Sequence, residues 1–209
     1  MASKAYIIPY RNRWHHFTVL FPRLRSHGKV ILVEQADIMP FNRGLMCNIG
    51  AAYSKEEHLI MHDVDMVPII CDYNITGDAT HFAGQASQFN YMRPYPDYFG
   101  GVTGFTRKAF QTINGFSNEF WGWGAEDDDL LARCREKNLQ VNWVNGRFRS
   151  LKHQHNGAHE LYRRNVETLN SGIKWESGLS DFDSIARIMS LTNTQEGYIH
   201  IKATAYGYP

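Results

Sequence analysis

Residues 5–34, AYIIPYRNRWHHFTVLFPRLRSHGKVILVE, decide the fold of this chain. Two apolar runs, residues 5–9 and 29–34, read as buried strands, and residues 14–24 between them repeat apolar side chains at helical spacing. Strand, helix and strand in that order predict a βαβ unit, hence an α/β sheet. Outward from it, residues 42–54 read as a second helix. Residues 58–63 are a third apolar run that turns acidic at its C-terminal end, where open α/β sheets place their ligands. A Pro/Tyr-rich loop (91–98), a short strand (99–105), a helix (106–114) ended near Gly115, a helix starting within the acids at 126–129 and ended by Asn138, and late strands at 140–144 and 197–203 complete the prediction. The rest of the tail alternates polar and aromatic residues. No internal repeat, low-complexity tract or linker interrupts it.

The chain has 209 residues, enough for one domain with a proper core. Lys and Arg number 22 against 21 Asp and Glu, so no general electrostatic pull toward nucleic acid or an anionic membrane is expected. Any phosphate site must be local. Aromatic residues make up 13%, a richness that serves the core and suits sugar faces stacking on ring planes. Cys47, Cys71 and Cys134 are widely spaced and odd in number, which predicts neither a zinc knuckle nor a disulfide framework and favours a reducing compartment. No run approaches the roughly 20 apolar residues of a membrane span, so the chain as given reads as soluble and cytoplasmic.

Residues 120–129, Phe-Trp-Gly-Trp-Gly-Ala-Glu-Asp-Asp-Asp, carry the chemistry. Two indoles on a glycine-hinged loop run into four acids at a helix start. Plain capping accounts for one or two acids, not for four beside Trp121 and Trp123. The helix dipole favours ionised carboxylates there, so one acid can act as a general base while others hold hydroxyls or cap N–H groups. Asp63-Val64-Asp65 ends the most apolar strand, and a period of two would point both carboxylates the same way, toward a shared divalent cation. His153-Gln154-His155 has the same spacing and could add two imidazoles. Such a mixed set permits Zn, Mn, Fe or Ni, and phosphate oxygens from a nucleotide would favour Mn. Pro9-Tyr10-Arg11-Asn12-Arg13 and Phe41-Asn42-Arg43 put Arg side chains and a ring at strand and helix ends of the kind that hold a base and phosphates. No Walker loop or Gly-x-Gly-x-x-Gly occurs.

These stretches, with Met61-His62-Asp63-Val64-Asp65, Tyr98-Phe99-Gly100-Gly101-Val102 and Asn114-Gly115-Phe116, resemble the β-1,4-galactosyltransferase family in order and spacing. The resemblance covers roughly residues 7–155, with a weaker echo at 177–179. The Met-His-Asp-Val-Asp wording and the His-x-His pair are similar to the xylosylprotein branch. The N-acetylglucosamine-directed branch uses one His and a Met where this chain has Ser150.

The resemblance implies a nucleotide-diphosphosugar transferase (GT-A type) α/β fold with a mixed, mostly parallel central sheet. It also implies a single catalytic domain, with a donor and metal half near residues 1–105 and an acceptor and catalytic half near 106–209. By the same resemblance, Asp65, His153 and His155 bind Mn²⁺. Pro9, Arg11, Arg13, Phe41, Arg43, Asp63 and Val64 surround UDP-galactose, with Tyr98, Gly100 and Gly101 beside its sugar. Trp123 lies on a closing loop hinged at Gly122 and Gly124. Asp127 is the base that deprotonates a saccharide acceptor, and Glu126 and Asp128 hold sugar hydroxyls. The implied reaction inverts α to β and forms a β-1,4 linkage, with a β-xyloside among the candidate acceptors. UDP-GalNAc or UDP-glucose as donor, a non-catalytic nucleotide-sugar binder and a metal-dependent hydrolase are the rival readings. By the same resemblance, Tyr98 occupies the position whose bulk favours galactose over the acetamido sugar. Ala125 stands where the family usually has Gly or Arg, and the chain resembles a pared-down, microbial or viral relative.

Overall fold

The computed structural model describes residues 2–152 and 159–208. The first half runs β1 (Lys4–Tyr10), α1 (Trp14–Leu24), β2 (Lys29–Gln35), α2 (Arg43–Tyr53), β3 (His58–His62), β4 (Met66–Ile70), β5 (Ala79–His81) and β6 (Gln85–Ala86). After a 3₁₀ turn at Ser87–Phe89 come β7 (Val102–Thr106), α3 (Arg107–Thr112), α4 (Glu126–Glu136), β8 (Val141–Trp143) and β9 (Arg147–Ser150). The last segment carries α5 (His159–Asn170), α6 (Phe182–Ile185), β10 (Ala186–Asn193) and β11 (Ile199–Ala205).

The main sheet has the order β10-β11-β2-β1-β3-β7-β5-β8, and β4-β9-β6 form a small second sheet. β1 lies parallel to β2 and to β3, as the βαβ reading requires, and β11 joins β2 in parallel. β7 runs antiparallel to both β3 and β5, and β10 antiparallel to β11, so the sheet is mixed. Alternation along β1 sends Ala5 and Ile7 to one core and Tyr6, Ile8 and Tyr10 to the other. Continuous apolar runs are what a sheet covered on both faces demands. Phe17, Leu20, Phe21 and Leu24 of α1 pack on one face. Leu45, Met46 and Ile49 of α2 pack on the other with Phe110, Leu130 and Leu131. Asn42 starts α2 by accepting a hydrogen bond from the Leu45 N–H at 2.9 Å, and Thr106 starts α3 in the same way with Ala109.

Three expectations need correction. The strand predicted at 99–105 begins only at Val102, because Val102 N–H bonds the Gly100 carbonyl and Gly101 takes φ +80°, a turn rather than extended backbone. β3 ends at His62, so Asp63 and Asp65 sit on a turn closed by Met66 N–H to Asp63 carbonyl and not on a strand with period two. In the polar tail, α5 and the edge strand β10 escaped the reading, since β10 is largely exposed and shows no two-sided apolar pattern.

Candidate active site

The C-terminal ends of parallel β1, β2 and β3 converge on one edge of the sheet. β1 delivers Arg11 and Arg13, β2 leads through Phe41 into the first turn of α2 at Arg43, and β3 leads into Asp63. β7 is antiparallel to β3, with His62 opposite Val102, so its entry turn at Gly100–Gly101 lies on the same edge. Asp63 N–H bonds the Gly101 carbonyl at 3.0 Å. Carboxyl ends of parallel strands are where open α/β sheets bind ligands.

Arg43 is the hub. Its Nε donates to Asp63 Oδ1 at 2.6 Å and its Nη1 to Asp127 Oδ1 at 2.9 Å, with Glu126 Oε1 at 3.9 Å. The guanidinium also lies over the Phe116 ring at 5.4 Å. Burial opposes the charge on Arg43, but Asp127 and Asp63 outweigh it and hold the group firmly protonated. Its Nη2 is buried with no hydrogen-bond partner among the described residues, a donor left for a ligand oxygen.

One cation does not neutralise this many acids. Burial, reinforced by Glu126, Asp63 and Asp128, pushes Asp127 well above the usual carboxylate range despite Arg43. Burial likewise raises Glu126. At Glu126 and Asp127, desolvation works against the preference of the helix dipole for ionised acids. Asp65 is pushed up to about 7, first by burial and then by Asp63, with Arg13 Nη1 at 3.7 Å opposing. A crowded, partly buried acid pair fits a divalent cation.

The other predicted residues divide. Arg11 lies over Phe41 at 5.4 Å and donates to the Met39 carbonyl, forming a ring-and-guanidinium wall. Pro9 is buried within β1, opposite Val33, and Val64 is buried in the core, so both shape the site from behind. A Cβ on Gly100 would come within 2.6 Å of Asp127 Oδ2 and 2.8 Å of Tyr98 Cε2, so only glycine lets both approach. Asp128 turns away from Arg43 and accepts from Tyr95 hydroxyl at 3.0 Å. Asp129 serves structure, bonded at 2.7 Å to the fully buried Arg133. Trp121 is buried and Trp123 is 65% exposed. The Trp123 ring lies 5.5 Å from Tyr162. Gly122, Gly124 and Ala125 all take positive φ, the left-handed region that glycine enters freely and alanine does not. His153 and His155 lie outside the described residues.

Sequence reasoning missed Tyr95, Tyr162 and Asn165. Asn165 is buried and its amide donates to the carbonyls of Trp121, Trp123 and Gly124, tying α5 to the Trp loop. Only the helical periodicity of residues 159–170 could have drawn attention to it.

The mixed sheet, with an Asp-x-Asp turn at its ligand edge and an acid-headed helix facing it, has the nucleotide-diphosphosugar (GT-A) fold of the solved glycosyltransferases it resembles. The family model for the N-terminal region of glycosyl transferase group 7 matches residues 1–76, and that for the N-terminal domain of galactosyltransferase matches residues 80–156. Human β-1,4-galactosyltransferase 5 is 38% identical over 177 residues, 77% of this chain and 45% of its own. Human β-1,4-galactosyltransferase 6 is 36% identical over 177 residues, covering 77% of this chain and 46% of its own. The chain belongs to the β-1,4-galactosyltransferase family. It spans about half the length of the curated relatives it matches. In fold it is similar to a mutant of Drosophila β-1,4-galactosyltransferase 7 solved with manganese, UDP-Gal and xylobiose. That match has a TM-score of 0.80 at 21% identity over 99% of this chain and 95% of the other. Among the described residues, no helix is long and apolar enough to cross a membrane.

Proposed function

We propose that this chain is an inverting glycosyltransferase that moves galactose from UDP-galactose to a saccharide hydroxyl, forming a β-1,4 linkage. The observation that carries the proposal is Arg43, which joins the Asp-x-Asp turn to the acid-headed helix and keeps its Nη2 donor for a ligand. Donor-side and acceptor-side groups thereby meet at one point. Asp65, with His153 and His155 by resemblance to the family, would hold Mn²⁺, which when bound supplies positive charge and Lewis acidity at the diphosphate.

The chain's own residues do the rest. Arg11 and Phe41 flank the nucleotide, and Tyr98 bounds the donor sugar. Asp127 accepts the proton of the acceptor hydroxyl as that oxygen attacks the anomeric carbon and the bond to UDP breaks on the opposite face. The ionised carboxylate is the form that acts, and burial strengthens its hold on the proton it takes. Asp128 and Tyr95 line the acceptor side, and Trp123 with Tyr162 offers a ring platform for a sugar. The similarity in fold to a protein solved with xylobiose supports a β-xyloside as acceptor. We place the donor half in residues 1–105 and the acceptor half in 106–209, and we read the chain as given as cytoplasmic from its odd, widely spaced cysteines.

The test is UDP release from a panel of UDP-sugars with Mn²⁺, with and without β-xylosides and β-glucosaminides, with the product weighed by mass spectrometry. Acceptor-dependent release with a hexose mass gain is expected from UDP-galactose. Asp127→Asn should still bind UDP with Mn²⁺ but lose transfer by roughly 10²-fold or more. Full activity in that variant would end the assignment of the base.

A further inference from the structure

His81 closes β5 and is fully buried, far in sequence from the acids, and the chemistry above gives it no part. Its Nε2 lies 2.9 Å from the Gly100 carbonyl. That carbonyl can only accept, so the ring carries its proton on Nε2 and donates. Burial holds the imidazole neutral, its pKa lowered to about 4. Nδ1 is left bare and has no partner among the described residues.

The same ring stands edge-on to Tyr98, with centroids 5.4 Å apart at 85°. Phe89 at 5.4 Å and Tyr95 at 5.5 Å close two more sides of Tyr98. Beneath it lies Gly100, whose missing Cβ leaves room for Tyr98 and Asp127. His81 is the one neighbour of Tyr98 in this set that also bonds that floor. Phe89 has no polar atom to do so, and the Tyr95 hydroxyl is bonded to Asp128.

We propose that His81 is a positioning residue for donor selection. Through Gly100 and the ring of Tyr98, it fixes the wall that accepts a hydroxyl and excludes an acetamido group on the donor sugar. This rests on the reading of Tyr98 as the donor-sugar wall. Loss of the N–H would free the Gly100 carbonyl and let the turn and the ring relax, without removing any group that touches the nucleotide.

The test is calorimetric binding of UDP-galactose and of UDP-N-acetylgalactosamine, each with Mn²⁺, to wild type, His81→Gln and His81→Asn, alone and combined with Tyr98→Leu. The Gln amide nitrogen can reach the position of imidazole Nε2, whereas Asn ends one bond short. Wild type and His81→Gln should prefer UDP-galactose. His81→Asn should lose that preference by roughly three- to tenfold, as expected for one hydrogen bond. It should have no further effect once Tyr98 is Leu, because the two act as a unit. An unchanged preference in His81→Asn, even with lowered stability, would overturn the proposal, as would additivity with Tyr98→Leu. If wild type binds both sugars equally, the reading of Tyr98 itself fails, an outcome visible before any His81 variant is compared. Nitrogen NMR of the wild-type imidazole needs no variant. A neutral Nε2–H tautomer near neutral pH is expected, and an Nδ1–H tautomer would exclude the bond to Gly100.

Discussion

Arg43 holds two carboxylates with a planar fork, and a lysine cannot reproduce that geometry. Arg43→Lys should keep the fold and lower kcat by roughly 10²-fold. Arg43→Met leaves Asp63, Glu126 and Asp127 without their shared cation and should cost about 3–5 kcal/mol of stability. Denaturant unfolding beside transfer kinetics separates the two effects. At neighbouring His62 the pH dependence has a definite sign. Its Nε2 lies 2.9 Å from Tyr73 hydroxyl and its Nδ1 3.0 Å from the Asp63 carbonyl. Burial lowers its pKa from 6.5 to about 4. The unfolded chain takes up this proton below 6.5 and the folded chain only near 4, so stability falls as pH drops through that window. The raised Glu126 and Asp127 act in the opposite direction and mask this in wild type. Comparison with His62→Gln isolates it. The variant should gain on wild type by up to roughly 3 kcal/mol as pH falls across the window, read by urea unfolding. A constant difference would remove His62 from the account.

At the scale of elements, α4 is held by two unlike ends. Its first turn carries acids to the site, while Arg133 anchors its last turn, bonding Asp129 and the carbonyls of Ile113, Lys174 and Ser177. Arg133→Ala should destabilise the fold by about 3–5 kcal/mol, and adding Asp129→Ala should cost much less than the sum. α5 is the clamp on the Trp loop. Asn165→Ala leaves three carbonyls without their donor and should free the loop, seen as faster proteolysis near Gly122–Gly124 and a changed Trp123 fluorescence. Unaltered cleavage would show that the contact of Tyr162 with Trp123 suffices alone. The start of α4 was legible from four acids beside glycines, and its bounds are close to those read. Its anchoring was not, because a buried Arg in a helix reads from sequence as one more surface cation.

For the molecule as a whole, the last strand lies inside the sheet, between β10 and β2. β11 lies beside β2 and shields one edge of a run in which Val30, Ile31, Leu32 and Val33 are all buried. Ending the chain before Ala186 would strip β10 and β11 and expose that apolar edge, which pairs readily with other chains. Such a truncation should aggregate, and light scattering beside circular dichroism checks it. A monomeric, folded product would show that β1, β2 and β3 suffice as a core.

By itself the sequence determined the βαβ start, the third strand and the acidic helix, because apolar periodicity and turn residues act locally. It also determined which residue types cluster at the strand ends, and through their wording the family. Only tertiary structure decided that Arg43 binds Asp63 and Asp127, that Asp128 turns to Tyr95 and Asp129 to Arg133, and that His81 holds Gly100. Four adjacent acids look alike in a string. Burial and the nearest cation differ for each of them, and those are properties of the folded chain.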